Sequence, residues 1–279
     1  MSFDNAGSPH REPPDRPAWG HKFYTGEGHA VLGVIAKASD WYRDPDLHAA
    51  MIELRDTGFF ARFDRVMMTG SSMGGYGATA FAGLAPGCHV LSFNPQSTLR
   101  SDLVPWETNH PNGRIQDWIG PFADAATEAR AAAQCYVFYD PYHFEDRRHA
   151  DRYSGPGLRH MRVPFMGHGL PQAFQDMGML KEVMRRGIAG TLEDDWFYTA
   201  VRARRSQAKY YKTLAAPLAR GGHLSAGATL MARAYARYDD PYFRYREAMF
   251  RAGQGDVAGA FGLLEQFDRK RRASKRRRR

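Results

Sequence analysis

The stretch VMMTGSSMGGYGA, residues 66–78, runs from apolar residues through a Gly-Ser-Ser-Met-Gly-Gly cluster into small residues. An apolar run that stops at glycines and restarts as small, helix-compatible residues reads as a strand, a sharp turn and a helix. Two serines stand at that turn. Only one satisfies G-x-S-x-G: Ser72 has Gly70 two residues before it and Gly74 two residues after, whereas centring the pattern on Ser71 puts Met73 where a side chain clashes. A serine on such a turn sits in strained backbone geometry, and its neighbours at plus and minus two must be small for strand and helix to approach. Its hydroxyl then projects above the sheet, and the N–H of Met73, first in the helix, can donate to an oxyanion. A phosphate-cradling loop calls for Lys after the glycines, where Tyr76 stands, and G-x-G-x-x-G is not completed because Ala80 takes the third glycine's place.

A nucleophilic serine of this kind requires an acid after a later strand and a histidine after the last, in the chain order Ser, Asp, His. Asp140 ends the apolar run CYVFYD, and His168 follows VPFMG in the loop MGHGLPQAF. Rival groups are Asp146, His143, His149 and His160, all in or beside the helical-looking stretch HFEDRRHADRYSGPGLRH, where solvated surface charge is the ordinary role. Asp140 is therefore the expected acid and His168 the expected base.

Working outward, HAVLGVIA (29–36), RVMMTG, CHVLSFNP, CYVFYDP and MRVPFMG read as strands. LHAAMIELRDTG (47–58), YGATAFAGLAPG, PFADAATEARAAAQ, EDRRHADRY and LPQAFQDMGMLKEVMRRG (170–187) read as helices. That alternation predicts an α/β domain over 21–190, with a doubly wound, mostly parallel sheet. Residues 1–20, polar and Pro-rich, are expected to be a disordered lead-in, and 191–268 to be all-helical. In that helical segment Gly222 and Gly255 stand 33 residues apart, each preceded seven residues earlier by Ala215 or Ala248. Helix pairs with small residues at this period resemble tetratricopeptide-type repeats, about two of them.

Net charge is +9, but the last eleven residues, Arg269 to Arg279, hold nine Lys and Arg and no acid, which leaves a neutral body. The basicity belongs to a tail expected to be disordered, a candidate contact for a polyanion, and implies no basic face on the fold. The longest clean apolar run, Ala30 to Ala36, is far short of the roughly 20 residues that span a bilayer. The N-terminus lacks the apolar core of a secretory signal. Cys88 and Cys135 each open an apolar run and read as buried thiols, without metal-binding spacing. A cytoplasmic protein without a metal or cofactor is expected.

Residues from about 20 to 187 resemble the α/β-hydrolase family. GSSMGGYGA is similar to the nucleophile elbow of many of its bacterial members, and YDP and GHG match the positions of acid and histidine. The resemblance implies a sheet of the eight-stranded type, reduced here, with Ser72 as nucleophile, Asp140 as acid and His168 as base. It implies two oxyanion donors, the Met73 N–H and one from the loop after an early strand. That loop reads here as AKASDWY, which makes Lys37 or Ala38 the second donor by position, although the family's HGGG-type motif is missing. Residues 95–121, with Trp106, His110 and Trp118, fall where the family inserts a lid; Trp41, Tyr76 and Trp106 are the expected substrate contacts, and sealing of the core is the alternative role for the lid tryptophans. The implied activity is cleavage of a carboxylic ester or thioester through an acyl-enzyme, with an acylated glycan among the substrates considered. An acyltransferase on the same fold is one alternative. The other is a non-catalytic scaffold acting on protein partners through the helical segment and basic tail.

Overall fold

The computed structural model describes residues 1–10 and 15–266, so the basic tail expected at 269–279 lies outside the described residues. Two compact units are present, Met1–Val201 and Arg202–Arg279. The boundary falls later than the composition suggests because the helix Asp194–Ala200 belongs to the first unit: Phe197 is fully buried and packs on Phe138 and Phe174.

The first unit is built on one six-stranded sheet, every pairing parallel. Its strands are β1 (Ser2–Phe3), β2 (Gly33–Val34), β3 (Met67–Ser71), β4 (His89–Phe93), β5 (Gln134–Tyr139) and β6 (Leu158–Arg162), in the order β2-β1-β3-β4-β5-β6. Helices α1 (His21–Gly26), α2 (Pro45–Asp56), α3 (Met73–Ala80), α4 (Pro111–Arg114), α5 (Ala125–Glu128), α6 (Phe144–Ala150), α7 (Leu170–Asp176), α8 (Leu180–Ala189) and α9 (Asp194–Ala200) complete it. Successive strand residues face opposite sides of a sheet. On β4, Ser92 donates to Gly75 O of α3, whereas a Cβ on Gly187 of α8 would strike Leu91. Helices therefore cover both faces. Strands buried on both sides explain the unbroken apolar runs VLSF and CYVFY.

Four local readings change. Residues 2–3, expected within a disordered lead-in, form a strand between β2 and β3, with Phe3 buried against Tyr42 and Phe81. Two residues are too few to show periodicity, and the polar sequence after them is satisfied internally: Asp4, 3% exposed, takes Arg16 Nη2 at 2.5 Å. The run at 29–36 contributes only two residues of ladder. The last strand ends at Arg162, earlier than MRVPFMG suggests, since Pro164 has no N–H to continue a ladder. The single helix expected over 170–187 is two, broken at Gly178 with φ 72°.

The second unit is helical: α10 (Ala208–Arg220), α11 (Leu224–Tyr238), α12 (Pro241–Gly253) and a helix over 257–266. The first and third of these share both bounds at an offset of 33 residues. The turns that follow them are the same: Gly222 N to Ala219 O, His223 N to Leu218 O and Leu224 N to Gly222 O recur as Gly255 to Ala252, Asp256 to Arg251 and Val257 to Gly255. Ala215 and Ala248 are both buried. At Gly227 of α11 a Cβ would lie 2.5 Å from the Phe250 ring, so the glycine sets how closely α11 and α12 pack.

Candidate active site

The turn between β3 and α3 carries the clearest local signal. Ser72 has φ 56° and ψ −120°, outside the regions an L-residue ordinarily occupies. Its N–H donates to Phe93 O at 2.8 Å and its C=O accepts from Tyr76 N at 2.9 Å, so the surrounding backbone holds it there. The flanking glycines are required by space. A Cβ on Gly70 would lie 2.2 Å from Gly74 O; one on Gly74 would lie 2.4 Å from Phe3 O and 2.5 Å from Asp4 O. Met73 opens α3, where the first N–H groups have no intrahelical acceptor.

His168 lies on the loop between β6 and α7. Its Nδ1 is 2.8 Å from Asp146 Oδ1. A carboxylate only accepts, so Nδ1 carries the proton and the imidazole lone pair is on Nε2. Asp146 sits in the first turn of α6 and is 3% exposed. Burial alone raises its pKa, but hydrogen bonds from His143 and His168 and their charges outweigh that and hold it well below the usual carboxylate range. Asn94, in the left-handed conformation at the end of β4, donates from Nδ2 to Asp146 Oδ2 at 2.6 Å, and its Oδ1 accepts from Leu170 N at 3.1 Å. His143 Nδ1 lies 3.4 Å from the same Asp146 oxygen that faces His168, and that hydrogen bond raises the His143 pKa.

Asp140 does not meet His168. Its Oδ1 accepts from Tyr142 N at 2.9 Å and Phe165 N at 3.0 Å, and its Oδ2 from Gly167 N at 2.6 Å. The carboxylate at the strand end therefore ties the loop after β5 to the loop that presents the histidine, and Tyr142 stacks on Phe165 at 4.1 Å as a result. The histidine's partner is Asp146, six residues further on, because α6 turns that carboxylate back toward the sheet.

The expected second oxyanion donors are not brought to the serine's turn. Lys37 and Ala38 are exposed and follow β2, which lies one strand beyond β1; β1 is the strand beside β3. The chain lying against Gly74 is Phe3–Asp4. Of the expected substrate contacts, Tyr76 is 1% exposed and its hydroxyl donates to Phe122 O, a core role. Trp41 is buried, yet it reaches the serine through one residue: Gln96 Oε1 accepts from Trp41 Nε1 at 3.2 Å and from Ser72 Oγ at 3.5 Å. Trp106 lies over His149 at 4.6 Å with Arg148 on its ring. Trp118 seals the insertion, donating to Gly113 O under the guanidinium of Arg43, which itself bonds three carbonyls at 117, 119 and 121.

Beneath Trp106 is a buried polar chain. His149 Nδ1 accepts from Ser97 N at 3.1 Å, which places the proton on Nε2, 3.2 Å from Glu107 Oε2. Burial lowers the His149 pKa. For Glu107 burial raises the pKa, but the hydrogen bonds from His149 and Asn109 N prevail and lower it. This pair fastens the 95–121 insertion to α6, the helix that carries Asp146.

Asn94 and Gln96 reach Asp146 and Ser72 and were not singled out by sequence reasoning. Their signal was the polar NPQS directly after the apolar strand CHVLSF, at the sheet end where Ser72 also sits. Among the described residues no group of three or more His, Cys, Asp or Glu could hold a metal ion, and no helix is long and apolar enough to cross a membrane. Cys88 and Cys135 are free and buried, and burial pushes the Cys88 thiol up to about 12. No protein-family model matches the chain, and no curated protein or solved structure matches it significantly.

Proposed function

We propose that the chain is a serine hydrolase of the α/β-hydrolase kind, cleaving a carboxylic ester or thioester with Ser72 as nucleophile, His168 as base and Asp146 as acid. The observation that carries this reading is the Ser72 backbone, φ 56° and ψ −120°, held between a parallel strand and a helix whose glycines leave no space for side chains. Strain of this kind persists where surrounding structure over-determines it, and it clusters at reacting groups. The His168–Asp146 pair at 2.8 Å supports it independently.

The chemistry follows from the tautomer. Asp146 fixes the Nδ1 proton of His168, so Nε2 takes the proton of Ser72 as Oγ bonds to the substrate carbonyl carbon. The carbonyl oxygen becomes an oxyanion facing the Met73 N–H. The second donor in this reading comes from the chain leaving β1, where the Asp4 N–H is bonded to Val34 O and the Asn5 N–H is the candidate. The carbon–oxygen or carbon–sulfur bond of the ester then breaks, and His168 gives its proton to the departing alcohol or thiol. Water attacks the acyl-enzyme, loses a proton to His168, and releases the acid as the proton returns to Ser72 Oγ.

A fluorophosphonate probe tests the reading. It is expected to label Ser72 covalently, mapped by peptide mass spectrometry, with labelling abolished in Ser72→Ala. Labelling at Ser71, or none where a control serine hydrolase reacts, overturns it. For the second unit we infer two tetratricopeptide-type helix pairs, on the recurrence of helix bounds and turn hydrogen bonds at 33 residues.

A further inference from the structure

A cavity of about 320 Å³ lies beside the serine's turn, with Ser71 and Gly169 in its wall. These are the chain neighbours of Ser72 and His168, so the cavity lies one residue away from each of the two proposed reacting groups. Its size is at the lower end of small-molecule sites, roughly 300–1,000 Å³. It opens at the C-terminal ends of the parallel strands, where ligands of such sheets bind.

Its lining differs from that of an acyl-chain tunnel. Polar residues line it from two segments, Asn5 and Ser8 after β1 and Gln172 and Gln175 on α7. Asn5 Oδ1 already accepts from Gly7 N and Gln172 Nε2 already donates to Asp176 Oδ1, both at 2.8 Å, which leaves the Asn5 Nδ2, the Gln172 Oε1 and both ends of the Gln175 amide. The half-buried Trp19 is its largest aromatic, held edge-on to Phe93 at 6.3 Å, with its backbone C=O accepting from Ser2 Oγ at 2.6 Å. Among the described residues of the lining the one cation is Arg16, which Asp4 meets through both guanidinium Nη atoms, at 2.5 and 3.3 Å. Asp4 and Arg16 together leave the described lining without net charge. Amides and a hydroxyl that both donate and accept, beside an indole, are the chemistry that recognises a neutral, hydroxyl-rich ring: hydroxyls bond to the amides and the weakly positive C–H groups of the ring pack on the indole.

We infer that this cavity binds a sugar ring, and that the substrate is an O-acylated carbohydrate whose sugar occupies the cavity while its ester carbonyl meets Ser72. The inference rests on the serine-hydrolase reading for the ester, but the sugar site can be tested without turnover.

The experiment compares kcat/KM for methyl 6-O-acetylglucopyranoside and cyclohexylmethyl acetate, which share a six-membered ring and ester position and differ chiefly in hydroxyls. A site built to bond hydroxyls rejects the analogue lacking them, so a preference of at least tenfold for the sugar ester is expected. Gln175→Ala, at an exposed position that folding tolerates, is expected to narrow that ratio several-fold through KM. Trp19→Ala is expected to erase most of it and Trp19→Phe to retain it. Equal rates on the two esters, or variants that lower both in the same proportion, overturn the sugar site while leaving the hydrolase standing. If neither ester is turned over and Ser72 is not labelled, the hydrolase reading fails, and saturation-transfer NMR on Ser72→Ala with a set of methyl hexopyranosides decides the cavity. Transfer that is lost on Trp19→Ala upholds the site, and absence of transfer overturns it.

Discussion

The turn after β3 and the turn after β5 deliver functional groups to the same end of the sheet by different means. At the first, the signal is local: Gly70, Ser72, Met73 and Gly74 are consecutive or nearly so, although the chain leaving β1 and Phe93 O complete the constraints on them. At the second, two carboxylates six residues apart compete for one histidine, and the outcome depends on a third segment. Asp140, at the strand end, is taken by three backbone N–H groups from its own loop and the histidine loop. Asp146, a turn into α6, is buried and meets His168. A turn whose geometry is written in glycines is readable from sequence; a choice between two acids is made by tertiary hydrogen bonds.

The sharpest way to break that comparison is to exchange the two acids' fates. Asp146→Asn is expected to keep the fold yet cut ester turnover by roughly 10⁴, because the imidazole loses the carboxylate that fixes its tautomer. Asp140→Asn replaces an all-acceptor group with one that presents donors to backbone donors. The histidine loop then shifts, and a misplacement of about 1 Å costs on the order of 10²-fold. Steady-state kinetics with thermal melts for both variants checks this. A crippled Asp140→Asn beside a mild Asp146→Asn would return the acid to the strand end.

The parallel α/β architecture was legible because β3, β4 and β5 are apolar runs separated by helical spacing. The strand Ser2–Phe3 was not, since two residues show no period and their burial comes entirely from neighbours on both sides. Without β1, the first strand in view was β2, which points to Lys37 and Ala38 for the second oxyanion donor, whereas the chain beside Gly74 is Phe3–Asp4. Ser72 and His168 were legible through glycine-flanked loops. Asp146 was not, because a carboxylate in the first turn of a charged helix is the pattern of a solvated N-terminus, and only Asn94 and His168, distant in sequence, distinguish it.

The glycine turn can be challenged directly. Gly74→Ala puts a methyl 2.4–2.5 Å from two carbonyl oxygens of β1 and its exit, backbone atoms that cannot swing aside. Overpacking of this kind costs about 1–3 kcal/mol. In a domain of this size that lowers Tm by several degrees, about 2–4 °C per kcal/mol. Gly26→Ala, in α1 with nothing within 4 Å, is the control and is expected to be neutral or slightly stabilising. Equal melting of Gly74→Ala and the unmodified protein would show that β1 does not press on the turn.

The smallest effect expected concerns the pair that holds the insertion to α6. Burial keeps the folded His149 pKa below its ordinary 6.5, and because Ser97 N donates to Nδ1 a second proton there would also face an N–H. A histidine so depressed takes up its proton first in the unfolded chain. It leaves stability unchanged above about pH 6.5, and it removes stability as pH falls below that value, at up to about 1.4 kcal/mol per pH unit. Glu107, whose pKa is lowered, stays ionised in the folded protein throughout this window and adds no opposing slope above about pH 5. The other groups acting on His149 are Asp146, whose charge favours its protonation, and Arg152, whose charge opposes it. His149→Gln keeps an acceptor for Ser97 N and a donor for Glu107 but cannot titrate. Stabilities from urea unfolding at about pH 7.5 and 5.5 are therefore expected to fall further in the unmodified protein than in His149→Gln, by no more than about 1.4 kcal/mol. His48, His110 and His160, also lowered by burial, maintain the remaining acid sensitivity in both. Identical slopes in the two proteins would mean that folding does not shift the His149 pKa, and a smaller fall in the unmodified protein than in His149→Gln would mean that His149 is protonated when folded and pairs with Glu107 as a charged pair.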